Sequence, residues 1–316
     1  MVAVLALKMC LDCADKPAWG ARISLSREGS MRRLIKHAAR LIATLMLGGL
    51  LSATLVRMAP GYGVDEADLD SRLSRESIAA LRQSRVEDGG LGSYYLHYME
   101  RLLHGDLGTS VGLQEPVAQL LKGRFPETLM SVALGLALAW TAGLGLAMAG
   151  VLSRGKAVEM GANLLATIVI CIPAAVLALL FVMARAPGRL AIGVIVFPKV
   201  YQYARSLLRR SAALPHVLTA RAKGLSPVRI LLWHVLPVAA RPLLALAGVS
   251  VCLAFTAAIP VEVLCDLPGI GQLAWKAALS RDLALLVNLT MMVTLITLAA
   301  NTAAELVAQS MRAENL

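Results

Sequence analysis

The sequence predicts an all-α, polytopic membrane protein with about six transmembrane helices, and three observations predict it. First, 58% of the 316 residues are apolar and only 16% are charged, where a soluble domain carries roughly 25% charged residues. The mean hydropathy is +0.68. Second, four segments are apolar without a single charge, residues 129–152, 160–184, 243–261 and 283–304. Each is close to the length of about 20 residues that crosses a hydrocarbon core of about 30 Å. Third, the basic residues are unevenly shared among the connecting segments. Disorder, a disulfide scaffold and an ordinary soluble enzyme are excluded by this composition.

Two further segments complete the set. Residues 34–56 are clean from Leu41 onward, with Lys36 and Arg40 at the entrance, whereas 190–208 contain Pro198, Lys199 and Arg205. Charge decides whether that polar segment spans. Residues 205–241 hold seven bases (Arg205, Arg209, Arg210, Arg221, Lys223, Arg229, Arg241) and no acid, while 57–128 hold eight bases against eleven acids. Lys and Arg are retained on the cytoplasmic side. Six spans place both termini, 153–159 and 205–241 inside; five would export the most basic loop. The formal charge of +11 therefore orients the chain in the membrane and does not call for nucleic acid.

The organisation expected is a tail at 1–30, a first span within 31–60, an external helical segment at 61–125, a five-helix core at 126–310 holding the basic loop 205–241, and a short tail at 311–316. Met31-Arg32-Arg33 before an apolar helix reads as a natural start, so 1–30 are either a cytoplasmic tail or a misassigned start. They are not a cleaved signal, because the apolar run 2–7 is too short and no base precedes it. Cys10 and Cys13 form a C-x-x-C with no second pair, short of the four ligands of a structural zinc. Cys171 and Cys252 lie in apolar stretches, where a thiol acts as a small hydrophobe. No metal site is expected.

The most informative stretch is the basic loop at 215–237. Pro215 suits a first helical turn, and Gly224 can take the left-handed conformation that ends a helix. Ser226 then caps a second helix with Pro227 at its first position. Ile230, Trp233 and Val235 are expected to face the membrane core, with Arg221, Lys223 and Arg229 facing water. A short helix held at a fixed angle on a surface is a docking element.

This loop resembles the "EAA" coupling loop of ABC-importer permeases, of the type found in dipeptide, oligopeptide and nickel importers, through Thr219-Ala220-Arg221-Ala222-Lys223-Gly224-Leu225-Ser226 and then Leu236-Pro237. Other matches follow in family order. Met58-Ala59-Pro60-Gly61 ends the first span; Gly105-Asp106-Leu107-Gly108-Thr109-Ser110 and Pro126-Glu127-Thr128-Leu129 precede the second. Val261-Glu262-Val263 and Leu267-Pro268-Gly269-Ile270-Gly271 follow the fifth, and Ser280-Arg281-Asp282 opens the sixth. The chain departs from the pattern at Leu214-Pro215, where Glu-Asp often opens the loop, and in the short, 185–189 link between spans three and four.

The resemblance implies a type I permease subunit that binds no cofactor and catalyses nothing. Its partners would be a second, homologous permease, two ABC ATPases carrying ATP and Mg, and an external solute-binding protein, in an importer of peptides or of nickel and other metal chelates. It implies ATPase coupling through Thr219, Ala220, Arg221, Ala222, Lys223, Gly224, Leu225 and Ser226, and a pathway or gate at Glu262, Leu267, Pro268, Gly269 and Gly271. The external segment, with Tyr94, Tyr95 and Tyr98, is expected to cap the pathway and meet the binding protein.

Other classes fit less well. Gly150 to Ala157 nearly matches a P-loop but lacks the Mg-binding Ser/Thr and follows an apolar helix where a buried strand is required. Gly108-Thr109-Ser110-Val111-Gly112 matches G-x-S-x-G near His104 and Asp106, yet no α/β sheet is available for a nucleophile elbow. His37, His97, His216 and His234 read as interfacial or surface residues. A stand-alone secondary transporter or channel needs ionisable groups within its spans, and outside the fourth there are none. A membrane scaffold without transport is the remaining alternative. Asn163, Asn288 and Asn301 read as interhelical hydrogen-bonding residues rather than pathway lining. Lys199 either snorkels or pairs within the bundle.

Overall fold

The computed structural model describes residues 43–44, 46–51, 54, 100–101, 104–110, 112–153, 156–280 and 282–313. The tail, most of the first span, the tyrosine-bearing external segment, the 58–61 motif and Arg281 lie outside these residues. The named helices are α1 (Val117–Leu152), α2 (Lys156–Cys171), α3 (Ala174–Met183), α4 (Gly188–Ala212), α5 (Pro215–Ala222), α6 (Pro227–Ile230), α7 (Leu236–Leu264), α8 (Ile270–Leu279) and α9 (Leu283–Ala313), with a π turn at Leu231–Val235. Among the described residues the fold is all-α, with one isolated bridge between Thr109 and Pro116.

Among the described residues three helical stretches, Val117–Leu152, Pro227–Leu264 and Leu283–Ala308, are long and apolar enough to cross a membrane. The run 160–184, expected as one span, is instead broken: α2 and α3 meet at 98°. Pro173 is the cause, since it has no N–H to continue the α2 ladder and disfavours helical geometry in the residue before it. At about 1.5 Å per residue, the break lies roughly 20 Å along α2 from Glu159, within a core of about 30 Å. Backbone that breaks at this depth must be covered by protein or face water. The helix that carries the apolar run 129–152 begins well ahead of it, at Val117, with Pro126 inside and exposed.

The chain divides into two compact units, Met1–Gly123 with Ala274–Leu295, and Arg124–Leu273 with Ile296–Leu316. The first is knotted by two of the sequence motifs. Ser110 Oγ, 1% exposed, donates to Asp282 Oδ2 at 2.5 Å, and Gly112 N–H donates to the same oxygen at 3.1 Å. Asp282 Oδ1 accepts from Leu285 N–H at 3.0 Å, the geometry of an N-cap for α9. Asn288 Nδ2 donates to Leu107 C=O at 2.9 Å. The hydrolase-like residues are thus separately engaged: His104 Nδ1 donates to Glu100 C=O, and Asp106 accepts from Gly108 N–H.

In the second unit α4 is the central helix. It buries Ala191, Ile192, Gly193, Val196, Phe197, Pro198, Val200, Tyr201, Ala204, Leu208 and Ser211. Protein therefore covers much of this polar segment; Arg205, Arg209 and Arg210 lie toward its C-terminal end, and Lys199, in its middle, is exposed. α7 packs along α4 most extensively, beside α2 and α3, and α1 approaches it closely. Gly135, Ala139, Gly143 and Ala147 repeat every four residues and form one stripe, with Ala139 and Ala147 fully buried. A Cβ on Gly135 would lie 2.7 Å from Ile192 Cγ2, and one on Gly143 would lie 3.0 Å from Val200 Cγ1. Small residues replace hydrophobic drive as the basis of helix packing in a bilayer. Polar pairs add to it: Trp140 Nε1 donates to Ser250 Oγ at 3.0 Å and Tyr201 OH to Asn163 Oδ1 at 3.3 Å. A Cβ on Gly248 would lie 2.6 Å from Asn301 Oδ1.

Gly135→Val is expected to lower the thermal midpoint of the detergent-purified chain by several degrees, because overpacking costs about 1–3 kcal/mol. Gly145→Val, at a position with nothing within 4 Å of a new Cβ, is the control and stays near the wild type. Equal midpoints for the two variants would remove the stripe from the packing account.

Candidate functional site

The basic loop folds into an elbow of fixed angle, and each bend has a local cause. Leu214 is extended ahead of α5, with Pro215 at the first helical position. Val217 and Ala220 are buried, which seats α5, while Thr219, Arg221, Ala222 and Lys223 are exposed. Gly224 N–H donates to Arg221 C=O at 2.9 Å and Leu225 N–H to Ala220 C=O at 3.3 Å. This pair of bonds is a Schellman stop, and it requires the φ of +75° found at Gly224. Ser226, extended and exposed, occupies the cap position before Pro227. The expected side-chain cap is not made: Ser226 contributes its carbonyl, which accepts from Ile230 N–H at 3.0 Å.

Pro237 explains the π turn that follows. It cannot donate to Trp233 C=O, and its ring crowds that carbonyl. The backbone widens instead, with Leu236 N–H reaching Leu231 C=O. His216 Nε2 on α5 donates across the elbow to His234 C=O at 3.1 Å. Ile230, Leu231 and Val235 are buried, and Trp233 is 75% exposed. The exposed face carries Arg221, Lys223 and Arg229, with no acid anywhere in 205–241. Such a surface is electrostatically complementary to an acidic partner.

At the far end of α7, Glu262, Gly269 and Gly271 of the expected gate meet in a buried cluster. Glu262 is fully buried. Its Oε2 accepts from Gly271 N–H at 2.7 Å, while Oε1 has no hydrogen-bond partner among the described residues. Thr128 Oγ1 accepts from Ile270 N–H at 2.8 Å, joining α1 to the same turn. Gly269 is enclosed, and a Cβ there would collide with the Glu262 carboxylate. Leu267 is half-buried and Pro268 exposed. A polar rim surrounds the turn: Arg124 donates to Gln272 at 3.1 Å, Gln272 to Asp266 at 2.7 Å, and Arg189 to Glu127 at 2.7 Å.

Sequence reasoning missed a third cluster. Glu159, in the first turn of α2, sits between Arg205 and Arg209 of α4, accepting from Arg205 Nε at 2.9 Å and from the Nη2 atoms of both. A signal existed, since Glu159 is the only acid between Glu127 and Glu262. The hydrogen bond from Arg205, reinforced by the charge of both guanidinium groups, holds the Glu159 carboxyl below its ordinary 4.5 against the opposing effect of burial. A depressed carboxylate pKa stabilises the fold above the ordinary value and loses that contribution as pH falls through the lowered one. The midpoint difference between wild type and Glu159→Gln is therefore expected to be constant at neutral pH and to vanish well below pH 4.5. A difference that disappears between pH 6 and 8 would contradict it.

The family model described as "Binding-protein-dependent transport system inner membrane component" matches residues 141–313, more than half of the chain and all of the elbow. The chain belongs to this family. It is an ABC-importer permease, a multi-pass inner-membrane protein. The permease is similar to the oligopeptide transport system permease protein OppB of Escherichia coli K12, 26% identical over 284 residues that cover 83% of this chain and 92% of the relative. It is also similar to the glutathione transport system permease protein GsiC of Salmonella choleraesuis, 26% identical over 269 residues covering 79% and 87%. The family match spans every residue of the α5–α6 elbow and of the Glu262 turn, so both clusters lie within the part that the permease shares with its family.

Proposed function

We propose that this permease imports small peptides, powered by separate ATPase subunits that dock on the α5–α6 elbow. The single observation that supports coupling is the rigidity of that elbow. It has a Schellman stop at Gly224, a cross-bond from His216 and a buried seat at Val217 and Ala220. A docking element biases an inward–outward equilibrium only if it resists deformation. Thr219 to Ser226 present Arg221 and Lys223 to the partner. Of the substrates left open by the sequence, peptide is supported by the names of the relatives, an oligopeptide and a glutathione permease.

In this reading ATP and Mg reside on two ABC ATPases, a second permease completes the pathway, and a solute-binding protein delivers substrate outside. Both termini and the elbow are cytoplasmic. The chain itself binds no cofactor. Residues 61–125 form the external cap, and the Glu262 turn with Leu267, Pro268, Gly269 and Gly271 borders the pathway near the outer face.

Uptake of radiolabelled di- to pentapeptides and of glutathione, in cells with and without the chain, tests this. The expected result is uptake of at least one of these that requires the chain and stops on ATP depletion but not on collapse of the proton gradient. Uptake that follows the proton gradient would support a secondary transporter instead. Removing residues 65–83 is expected to abolish uptake without affecting insertion.

A further inference from the structure

We infer that Glu159, Arg205 and Arg209 form a clamp that makes α2 and α4 move as one lever, carrying displacement of the elbow to the broken third span. This inference rests on the importer reading and adds the route by which the elbow acts.

The clamp lies where such a device is needed. α4 ends at Ala212 and α5 begins at Pro215, so the elbow is joined to α4 by only two residues, Ala213 and Leu214. Arg205 and Arg209 occupy successive turns of α4 and both reach the one carboxylate of Glu159. The Glu159 side chain is only 15% exposed, and that of Arg205 27%, which shields the pair from the screening that weakens surface ion pairs. About one turn further along both helices, Tyr201 OH donates to Asn163. Two successive polar ties across antiparallel helices fix their register as well as their distance.

Placement on the helices favours the same arrangement. Glu159 stands in the first turn of α2, and Arg209 in the last turn of α4. Each charge therefore complements the helix dipole at its own end. The far end of α2 is the 98° break at Pro173, where Cys171 and Pro173 are exposed. Movement of α4 along its axis is thereby delivered to that break.

Glu159 and Arg205 are positioning residues, so the test compares uptake with ATP hydrolysis by the assembled complex in native membranes. The probe is the peptide taken up fastest by the wild type. Glu159→Gln is expected to insert normally and to retain ATP hydrolysis while losing uptake at least tenfold. The exchange Glu159→Arg with Arg205→Glu keeps one carboxylate between two guanidinium groups and is expected to recover at least half of the uptake. Wild-type uptake by Glu159→Gln would overturn the clamp. So would failure of the exchange, or an equal fall in uptake, hydrolysis and insertion.

Failure of the importer reading looks different: the wild type itself would take up no peptide in an ATP-dependent manner. The pairing is then read from thermal midpoints of the purified chain. Glu159→Gln and Arg205→Gln are expected to be strongly non-additive, and additive losses would overturn the clamp whatever the transport function.

Discussion

Replacing Gly224 with valine is expected to abolish peptide uptake while leaving the protein at its normal level in the membrane. The expectation follows from one torsion. Gly224 has φ +75°, and no atom lies within 4 Å of a Cβ built there, so the substitution causes no clash. What it does cause is strain, because a left-handed conformation costs an L-residue about 1–2 kcal/mol and more when the side chain is β-branched. The Schellman bonds from Gly224 and Leu225 set the angle between α5 and α6, and they cannot form unless that torsion is kept. A strained stop relaxes by unwinding the last turn of α5, which holds Arg221 and Ala222. Gly224→Asn, which tolerates the left-handed region, is expected to retain a substantial part of the uptake. Uptake by the valine variant equal to wild type would remove the elbow from the mechanism.

Gly269→Ala is the second substitution with a large expected effect, for a different reason. Here a new methyl group collides with the Glu262 carboxylate, which is fully buried and held by Gly271 N–H. The carboxylate has no room to retreat. Overpacking of about 1–3 kcal/mol then combines with loss of the hydrogen bond from Gly271 N–H, about 0.5–1.5 kcal/mol. The purified variant is expected to melt well below wild type and to lose uptake. Gly161→Ala, with nothing within 4 Å of the added Cβ, is expected to be neutral. A Gly269→Ala protein with an unchanged midpoint would show that the turn is looser than its packing implies.

Much of the elbow was legible because its causes are local. Pro215 and Pro227 fix their own φ and Gly224 admits the left-handed one, so helix, stop and helix followed from three residues. The long helices were legible from apolarity alone, although Pro126 falls inside α1 rather than ahead of it. The break at Pro173 was not, because hydropathy is blind to direction and the run 160–184 is uniformly apolar. The π turn could have been anticipated from Pro237, whose missing donor is a local fact. The remaining features depend on partners distant in sequence. Glu159 finds Arg205 46 residues away, and Ser110 finds Asp282 172 residues away. The stripe Gly135, Ala139, Gly143 and Ala147 is visible as a four-residue repeat, but only the fold shows that α4 fills it.

The polar fourth segment illustrates the same limit. Lys199 and Arg205 made it a poor span by composition, and charge distribution alone argued for keeping it. What composition does not show is its packing: small residues of α1 lie against it, and Glu159 pairs with Arg205 and Arg209 near its end.

The most direct test of the central claim places a photo-activated cross-linking amino acid at Lys223, on the exposed face of the elbow, in cells that hold the full transport system. Cross-linking to a P-loop ATPase, identified by mass spectrometry and absent when the same group is placed at Lys199, is the expected result. Cross-links to lipid alone at Lys223, with the protein normally inserted and transporting peptide, would contradict an ATPase docking at the elbow.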